Sequence, residues 1–158
     1  MLDLVESFSK LSKEQKEVGF LCSVFMMAKV KVMEEKKGWQ FDFYNEKKKR
    51  ITSYLVENEV KLVEQEAEVF ESENEIKEIK LDELDISFEE AVKVAKEKVQ
   101  ERHEGGEDII VVLQNIDTLI WNITIVTSSF NMVNIRINAK NGKVISDNAT
   151  SLLSFKNE

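Results

Sequence analysis

The sequence predicts an α+β fold made of two repeated halves, each a helix packed on an antiparallel β-meander. Two segments open with capping boxes, Ser12 with Gln15 and Ser87 with Glu90, which are typical of helix N-termini. Short runs in which apolar and polar residues alternate follow each segment, as in half-buried strands. A chain of 158 residues suits one domain, or two small halves that share a core. We therefore expect helices packed on antiparallel sheet.

The first half, residues 1–70, is predicted to begin with a long helix from Ser12 to Lys37. Apolar residues recur at three- and four-residue spacing between Val18 and Val32, and Gly38 suits the end of a helix. Other faces of this helix are apolar too, so the N-terminal segment 2–8 or a second subunit must cover it. The predicted contacts of a homodimer through this helix are Phe20, Val24, Phe25, Met26 and Met27.

Three strands are predicted after this helix, and they form a meander. The first is Trp39–Tyr44, which alternates cleanly, and the second is Arg50–Glu57. The third, Val60–Phe70, changes its apolar face near Leu62 and Val63, which indicates a β-bulge.

An acidic connection, residues 71–85, is predicted between the halves. From Glu57 to Glu90 the chain has fourteen acidic residues and three lysines. An acidic surface of this kind predicts a protein partner whose affinity falls as salt rises. The predicted partner surface comprises Glu71, Glu73, Glu75, Glu78, Asp82 and Glu83.

The second half, residues 86–158, is predicted to begin with a helix capped by Ser87 and ended by Gly105-Gly106. One apolar stripe runs along that helix, formed by Phe88, Ala91, Val92, Ala95 and Val99. Asn141-Gly142 is a strong turn signal. The four predicted strands are Asp108–Ile116, Leu119–Thr127, Phe130–Asn138 and Lys143–Ser146.

The two halves match each other in sequence. One constant offset places Trp39 on Trp121, and the same offset places Ile51 on Val133. Two added residues at the last turn then place Val60 on Val144. The paired tryptophans in this register indicate an internal duplication, and we expect both rings to lie in the core. The first half is expected to lack a counterpart of the strand Asp108–Ile116.

The sequence predicts no catalytic, cofactor-binding or metal-binding residues, and therefore no enzyme. Cys22 is the only cysteine, and in its apolar run we expect a small buried hydrophobe. The only histidine, His103, lies in what resembles a frayed helix end. The candidates for a polar pocket, in a less favoured ligand-binding cup, are Gln114, Thr124 and Arg136.

Charge and hydropathy limit the partners and the location of the protein. A formal net charge of −8 argues against nucleic-acid binding. The longest apolar run, Val18–Ala28, is too short to span a bilayer. We therefore expect a cytoplasmic protein, unless a signal segment lies upstream of this sequence.

Three segments of the second half, ISFEEAVKVAKEKV, WNITIV and VNIRINAKNGKVI, resemble the PepSY domain family over roughly Ile86 to Ser146. The first half resembles the family only through its similarity to the second. PepSY domains occur in propeptides of secreted metallopeptidases and in membrane-associated or exported proteins. The residues that carry the match are Ser87, Ala91, Ala95, Trp121, Asn138, Gly142 and Val144.

The resemblance implies a non-enzymatic protein- or peptide-binding module with an inhibitory or regulatory role, and the family has no catalytic residues. A structural protein that assembles as a homodimer is the alternative, and the ligand-binding cup is a third reading. The sequence leaves open whether the halves share one sheet.

Overall fold

The computed structural model of the protein describes residues 3–31, 38–69 and 75–153. An eight-stranded antiparallel sheet dominates the fold, in the order β4-β3-β2-β1-β5-β6-β7-β8. Its strands are β1 (Phe20–Lys29), β2 (Trp39–Asn45), β3 (Arg50–Val56), β4 (Val60–Glu68), β5 (Gly106–Ile116), β6 (Thr118–Thr127), β7 (Asn131–Asn138) and β8 (Val144–Ser151). The helices are α1 (Leu4–Ser9), α2 (Lys13–Lys16) and α3 (Phe88–Glu101), with one 3-10 turn at Leu81–Glu83. The α+β class is confirmed, and both halves belong to one sheet.

The long helix predicted from Ser12 to Lys37 is wrong. The capping box of Ser12 and Gln15 is present, but α2 ends at Lys16 and the chain then enters β1. In β1 the apolar residues alternate between two faces: Val24 and Met26 are buried, whereas Phe25 and Met27 lie on the opposite side. A central strand with apolar residues on both faces is as uniformly apolar as a buried helix. The spacing of apolar residues in such a run cannot distinguish the two, which is why the helix prediction failed. Residues 32–37 lie outside the described residues.

Strand β1 is the first-half counterpart of β5, so the expectation that this counterpart is missing is also wrong. The two strands pair with Phe25 opposite Val112. On either side of this pair Val24 lies opposite Leu113, and Met26 lies opposite Val111. The strand order is symmetric about this pairing, with one four-stranded meander on each side.

The predicted offset between the halves holds in the second strand of each meander and slips by one residue in the third. Trp39 pairs with Val56, as Trp121 pairs with Ile137. Thr52 lies opposite Phe43, as Val133 lies opposite Ile125, so Thr52 rather than Ile51 corresponds to Val133.

Other predicted features of the strands agree with the structure. Val60 and Val144 open equivalent strands, opposite Val56 and Ile137. The predicted bulge in β4 is confirmed, because the register skips Val63.

Helices of similar length in both halves are not found among the described residues. Helix α3 has 14 residues, whereas α1 has 6 and α2 has 4. The predicted capping box of α3 is present, and its predicted apolar stripe is buried: Phe88, Ala91, Val92, Ala95 and Val99. Helix α3 therefore covers one face of the sheet in the amphipathic manner predicted.

The chain between the halves is tied to the core from Glu75 onward. Ile79 is buried, and its N–H donates to the carbonyl of Leu21 at 2.7 Å. The N–H of Ile86 donates to the Ala139 carbonyl at 2.8 Å. Backbone hydrogen bonds thus join the connection to the sheet at Ile79 and at its C-terminal end.

Candidate partner-binding surface

One face of the sheet carries α3 and the main core, and no described helix packs on the other face, which we call the open face. Alternation along each strand sends every second residue to this side. Open-face side chains that are half-buried or exposed include Phe25, Met27, Gln40, Asp42, Ile110, Val112, Gln114, Asn122, Thr124, Asn134 and Arg136.

An apolar stripe runs along the middle of the open face, where the two meanders join. Phe25 of β1 lies opposite Val112 of β5, and Met27 lies opposite Ile110. The Met27 side chain is 62% exposed. Apolar side chains that adjoin one another at a surface, with polar groups on both flanks, are typical of protein-binding sites.

A hydrogen-bonded cluster around Asp42 flanks the stripe on the first-half side. The Ser53 hydroxyl donates to Asp42 Oδ1 at 2.5 Å, and Gln40 Nε2 donates to the same atom at 3.0 Å. The Ser23 hydroxyl donates to Asp42 Oδ2 at 2.7 Å. Three donors on one carboxylate hold these side chains in a single arrangement.

An amide ladder flanks the stripe on the second-half side. Asn134 Nδ2 donates to Asn122 Oδ1 at 2.7 Å and to Thr124 Oγ1 at 3.0 Å. Asn122 Nδ2 in turn donates to Gln114 Oε1 at 3.2 Å. Arg136 lies next to Asn122 in the register, and it forms no ion pair with the described residues. Polar residues from three strands are thus fixed before any ligand arrives.

The two flanks differ at equivalent positions of the repeat. Asp42 opposite Ser53 corresponds to Thr124 opposite Asn134. Leu55, opposite Gln40, corresponds to Arg136, opposite Asn122. The strand pairings of the two flanks are therefore equivalent, whereas the side chains at equivalent positions differ in chemistry.

The structure divides the residues predicted for the dimer helix. Val24 and Met26 are 0% and 1% exposed and belong to the core. Phe25 and Met27 lie in the apolar stripe, and Phe20 packs its ring against Tyr44 at a centroid distance of 5.5 Å. A helical dimer surface made of these five residues does not exist, because strand geometry sends them to opposite faces.

Four of the six acids predicted to form a partner surface lie among the described residues. Glu75, Glu78, Asp82 and Glu83 are exposed, whereas Glu71 and Glu73 lie outside the described residues. Glu83 Oε2 is 3.7 Å from Lys140 Nζ, and none of these acids belongs to the open-face clusters. Whether a partner touches them stays a prediction.

Cys22 and His103 show no sign of reactive chemistry. Burial, and to a lesser extent the charge of Asp42, raises the pKa of the Cys22 thiol to about 12, so it is protonated near neutral pH. His103 is exposed just beyond α3 and adopts a left-handed φ of 58°. No group of three or more potential metal ligands occurs among residues 3–31, 38–69 and 75–153.

The residues predicted to line a ligand-binding cup lie on the open face of the sheet. Gln114 and Thr124 join the amide ladder, and Arg136 lies beside it. Three surface clefts elsewhere have volumes of about 160 to 210 Å³, below the ~300 Å³ typical of small-molecule sites. Sequence reasoning missed the Asp42 cluster, although the alternation in Trp39–Tyr44 already places Gln40 and Asp42 on the face opposite Trp39.

Comparisons with known proteins show the fold, and one family model matches part of the chain. In fold, the chain is similar to a solved structure of a protein from Clostridium difficile 630 described as a "putative lipoprotein", with a TM-score of 0.61 and 12% sequence identity. That likeness covers 94% of this chain and 93% of the other. The comparison with curated proteins gives no significant match.

Among the described residues, no helix has the length and apolarity needed to cross a membrane. The family model described as "PepSY: Peptidase propeptide and YPEB domain" matches residues 85–148, which are α3 and nearly the whole second meander. The resemblance predicted from the second half of the sequence is thereby confirmed, since this part of the chain is similar to PepSY domains.

Proposed function

We propose that the chain is a non-catalytic, regulatory protein-binding module whose partner docks on the open face of the sheet. The observation that carries this proposal is the apolar stripe between two hydrogen-bonded polar clusters, in which Met27 is exposed and Phe25, Ile110 and Val112 are half-buried. Fixed polar side chains lose little conformational entropy on binding, and the apolar stripe supplies the buried area.

The PepSY match supports a regulatory role. The family model is described by its occurrence in peptidase propeptides, and a propeptide acts on its enzyme by binding rather than by chemistry. We infer the same mode of action here, with a peptidase as the first class of partner to test. No catalytic step is assigned to any residue.

The exposed acids of the connection fit the same proposal. Glu75, Glu78, Asp82 and Glu83 would attract a basic partner and raise its association rate at low salt. The cytoplasmic location, the absence of nucleic-acid binding and the presence of a protein partner all stay predictions.

We further infer that the two meanders arose by duplication and that binding specificity resides in their differences. The symmetric strand order and the paired tryptophans support a common origin. Leu55 and Arg136 occupy equivalent positions, so only the second-half flank carries a cation among its amides, and this cation forms no ion pair with the described residues.

A matched pair of variants tests the docking surface. Met27→Lys places a charge in the apolar stripe, and Val5→Lys places the same charge on α1 at a similarly exposed site, 62% against 55%. Wild type and both variants are immobilised, and proteins from the source cells are passed over each. The proposal expects a protein that wild type and Val5→Lys retain and Met27→Lys loses, and that changes activity when the free chain is added. Equal retention by all three folded proteins would contradict it.

A further inference from the structure

The two edges of the sheet are built differently. Strand β4 carries Glu64, Glu66 and Glu68, is bulged at Val63, and has a left-handed φ of 50° at Glu66. Charges, bulges and irregular backbone are the devices by which edge strands avoid pairing with another chain. Strand β8 has only Asp147 as a charged residue, and it pairs regularly with β7 from Asn131–Ser151 to Arg136–Ser146.

On the outer side of β8, the outward backbone groups of Asp147 and Ala149 have no backbone partner among the described residues. The Leu152 N–H donates to the Phe130 carbonyl at 2.8 Å, which fixes the phase of the ladder. Hydrogen-bonded and non-hydrogen-bonded residue pairs alternate along antiparallel strands. The backbone N–H and carbonyl of Asn148 therefore point toward β7, whereas those of Asp147 and Ala149 point away from it. None of the described strands pairs with that outer side.

We propose that β8 is a homodimer interface, in which a second copy of the chain pairs antiparallel with β8 about a two-fold axis at Asn148. This register places Asp147 opposite the partner's Ala149, so that their outward N–H and carbonyl groups form four backbone hydrogen bonds across the axis. It also sets Asn148 opposite the partner's Asn148. Arg102 Nη2 already donates to the Asp147 carbonyl at 3.3 Å, but a carbonyl oxygen accepts two bonds.

Charge favours this edge for self-association in a protein of net charge −8. The Asp147 carboxylate is 2.9 Å from Arg102 Nη2, so its charge is compensated within the chain. The proposed register opposes no like charges, which would destabilise cross-strand pairs. The same pairing at β4 would bring together three glutamates from each copy, of which Glu66 and Glu68 are paired with Lys48 and Arg50 and Glu64 forms no ion pair with the described residues.

The dimer would extend the sheet without covering the open face. Two eight-stranded sheets would join edge to edge, and both apolar stripes would lie on one continuous surface. This interface shares no residue with the dimer helix predicted from the sequence, and it does not depend on the proposed partner.

A charge exchange at the axis tests the proposal. Asn148 is exposed, so Asn148→Lys and Asn148→Asp should both fold, and each places two like charges face to face only in the dimer. The matched controls are Asn58→Lys and Asn58→Asp, in the exposed turn between β3 and β4. Mass is measured by sedimentation equilibrium over a concentration series.

Wild type and both Asn58 variants are expected at twice the chain mass of 18.3 kDa. For each Asn148 variant alone, the dimer dissociation constant should be roughly tenfold higher than for wild type. An equimolar mixture of the two variants should form a dimer as stable as the wild-type dimer. A wild type at 18.3 kDa throughout, or Asn148 variants that dimerise as wild type does, would overturn the proposal. Folded variants whose mixture stays monomeric would overturn the register at Asn148.

Discussion

Trp39 and Trp121 occupy equivalent positions in the two meanders, and their ring centroids lie 6.4 Å apart in the core. Phe88, the first residue of α3, contacts both rings, at centroid distances of 5.0 Å and 6.1 Å. Trp121 Nε1 also donates to the Ile86 carbonyl at 2.9 Å, just before the helix. Helix α3 therefore packs against the aromatic core of both halves. This shared packing explains how the first half folds although the helices described in it are short.

Removal of this shared ring should destabilise the whole sheet. Phe88 is 5% exposed, so Phe88→Ala leaves a cavity between two tryptophans and should cost about 3–5 kcal/mol of unfolding free energy. Urea denaturation followed by tryptophan fluorescence measures this loss. Phe130→Ala, at a residue 59% exposed, is the control and should cost less than about 0.5 kcal/mol. Equal losses in the two variants would show that Phe88 does not join the halves.

The Asp42 cluster should contribute more to stability than its counterpart in the second half. Asp42→Ala removes the acceptor of three hydrogen bonds and leaves the Ser53 hydroxyl, 5% exposed, without that acceptor. We expect a loss of about 1–3 kcal/mol in chemical denaturation. Thr124→Ala, at the equivalent position, removes the acceptor of one bond from Asn134 and should cost less. The reverse order would contradict the description of the two flanks.

The Cys22 thiol should resist alkylation in the folded protein. Burial raises its pKa from 9.0 to about 12, so at pH 8 the thiolate fraction falls about a thousandfold relative to the unfolded chain. Iodoacetamide labelling at pH 8, with and without denaturant, measures the difference. Because the folded pKa is raised, the stability linked to this group is complete below pH 9 and is lost as pH rises toward 12. Rapid labelling of folded protein would contradict this environment.

Glu104 should make stability depend on pH in the acid range. Hydrogen bonds from Ser129, and then from Asn131, lower the pKa of its carboxyl below 4.5. A lowered folded pKa stabilises the fold above pH 4.5, and that stability is lost as pH falls through the folded value. The difference in unfolding free energy between wild type and Glu104→Gln should therefore shrink below pH 4.5, and Ser129→Ala should reduce the pH dependence. A difference that grows on acidification would contradict this.

Much of the fold could be predicted from local signals. The capping box and apolar stripe of α3 predicted that helix, and alternation predicted seven of the eight strands. Strand β1 could not be recognised, because its two apolar faces reflect its place at the centre of the sheet. That place is set by pairing with β5, whose paired residues lie 79 to 91 positions further along the chain, and local sequence carries no information about it.

The one-residue slip in the repeat has a local cause. The turn between β2 and β3 has four residues, 46–49, whereas the turn between β6 and β7 has three, 128–130. Both turns end on a residue with left-handed φ, Lys49 at 53° and Phe130 at 62°. A comparison of the two halves at one constant offset has no gap for the extra residue of the first turn, so it misaligns the strand that follows by one position.

Of the candidate surface, the sequence indicated only part. Gln114, Thr124 and Arg136 were identified as polar residues within strands, but their convergence depends on the register of β5, β6 and β7. Phe25 and Met27 were predicted as contacts of a dimer helix, and the structure places them on the open face of β1 instead.

Site-specific photocrosslinking tests the proposed docking surface most directly. A photoreactive amino acid replaces Met27 on the open face, or Lys93 on the exposed side of α3, and the protein is irradiated in its source cells. We expect a discrete adduct with a second protein from position 27 and none from position 93. Adducts from position 93 alone would place the partner on the helices and contradict the open face as the binding surface.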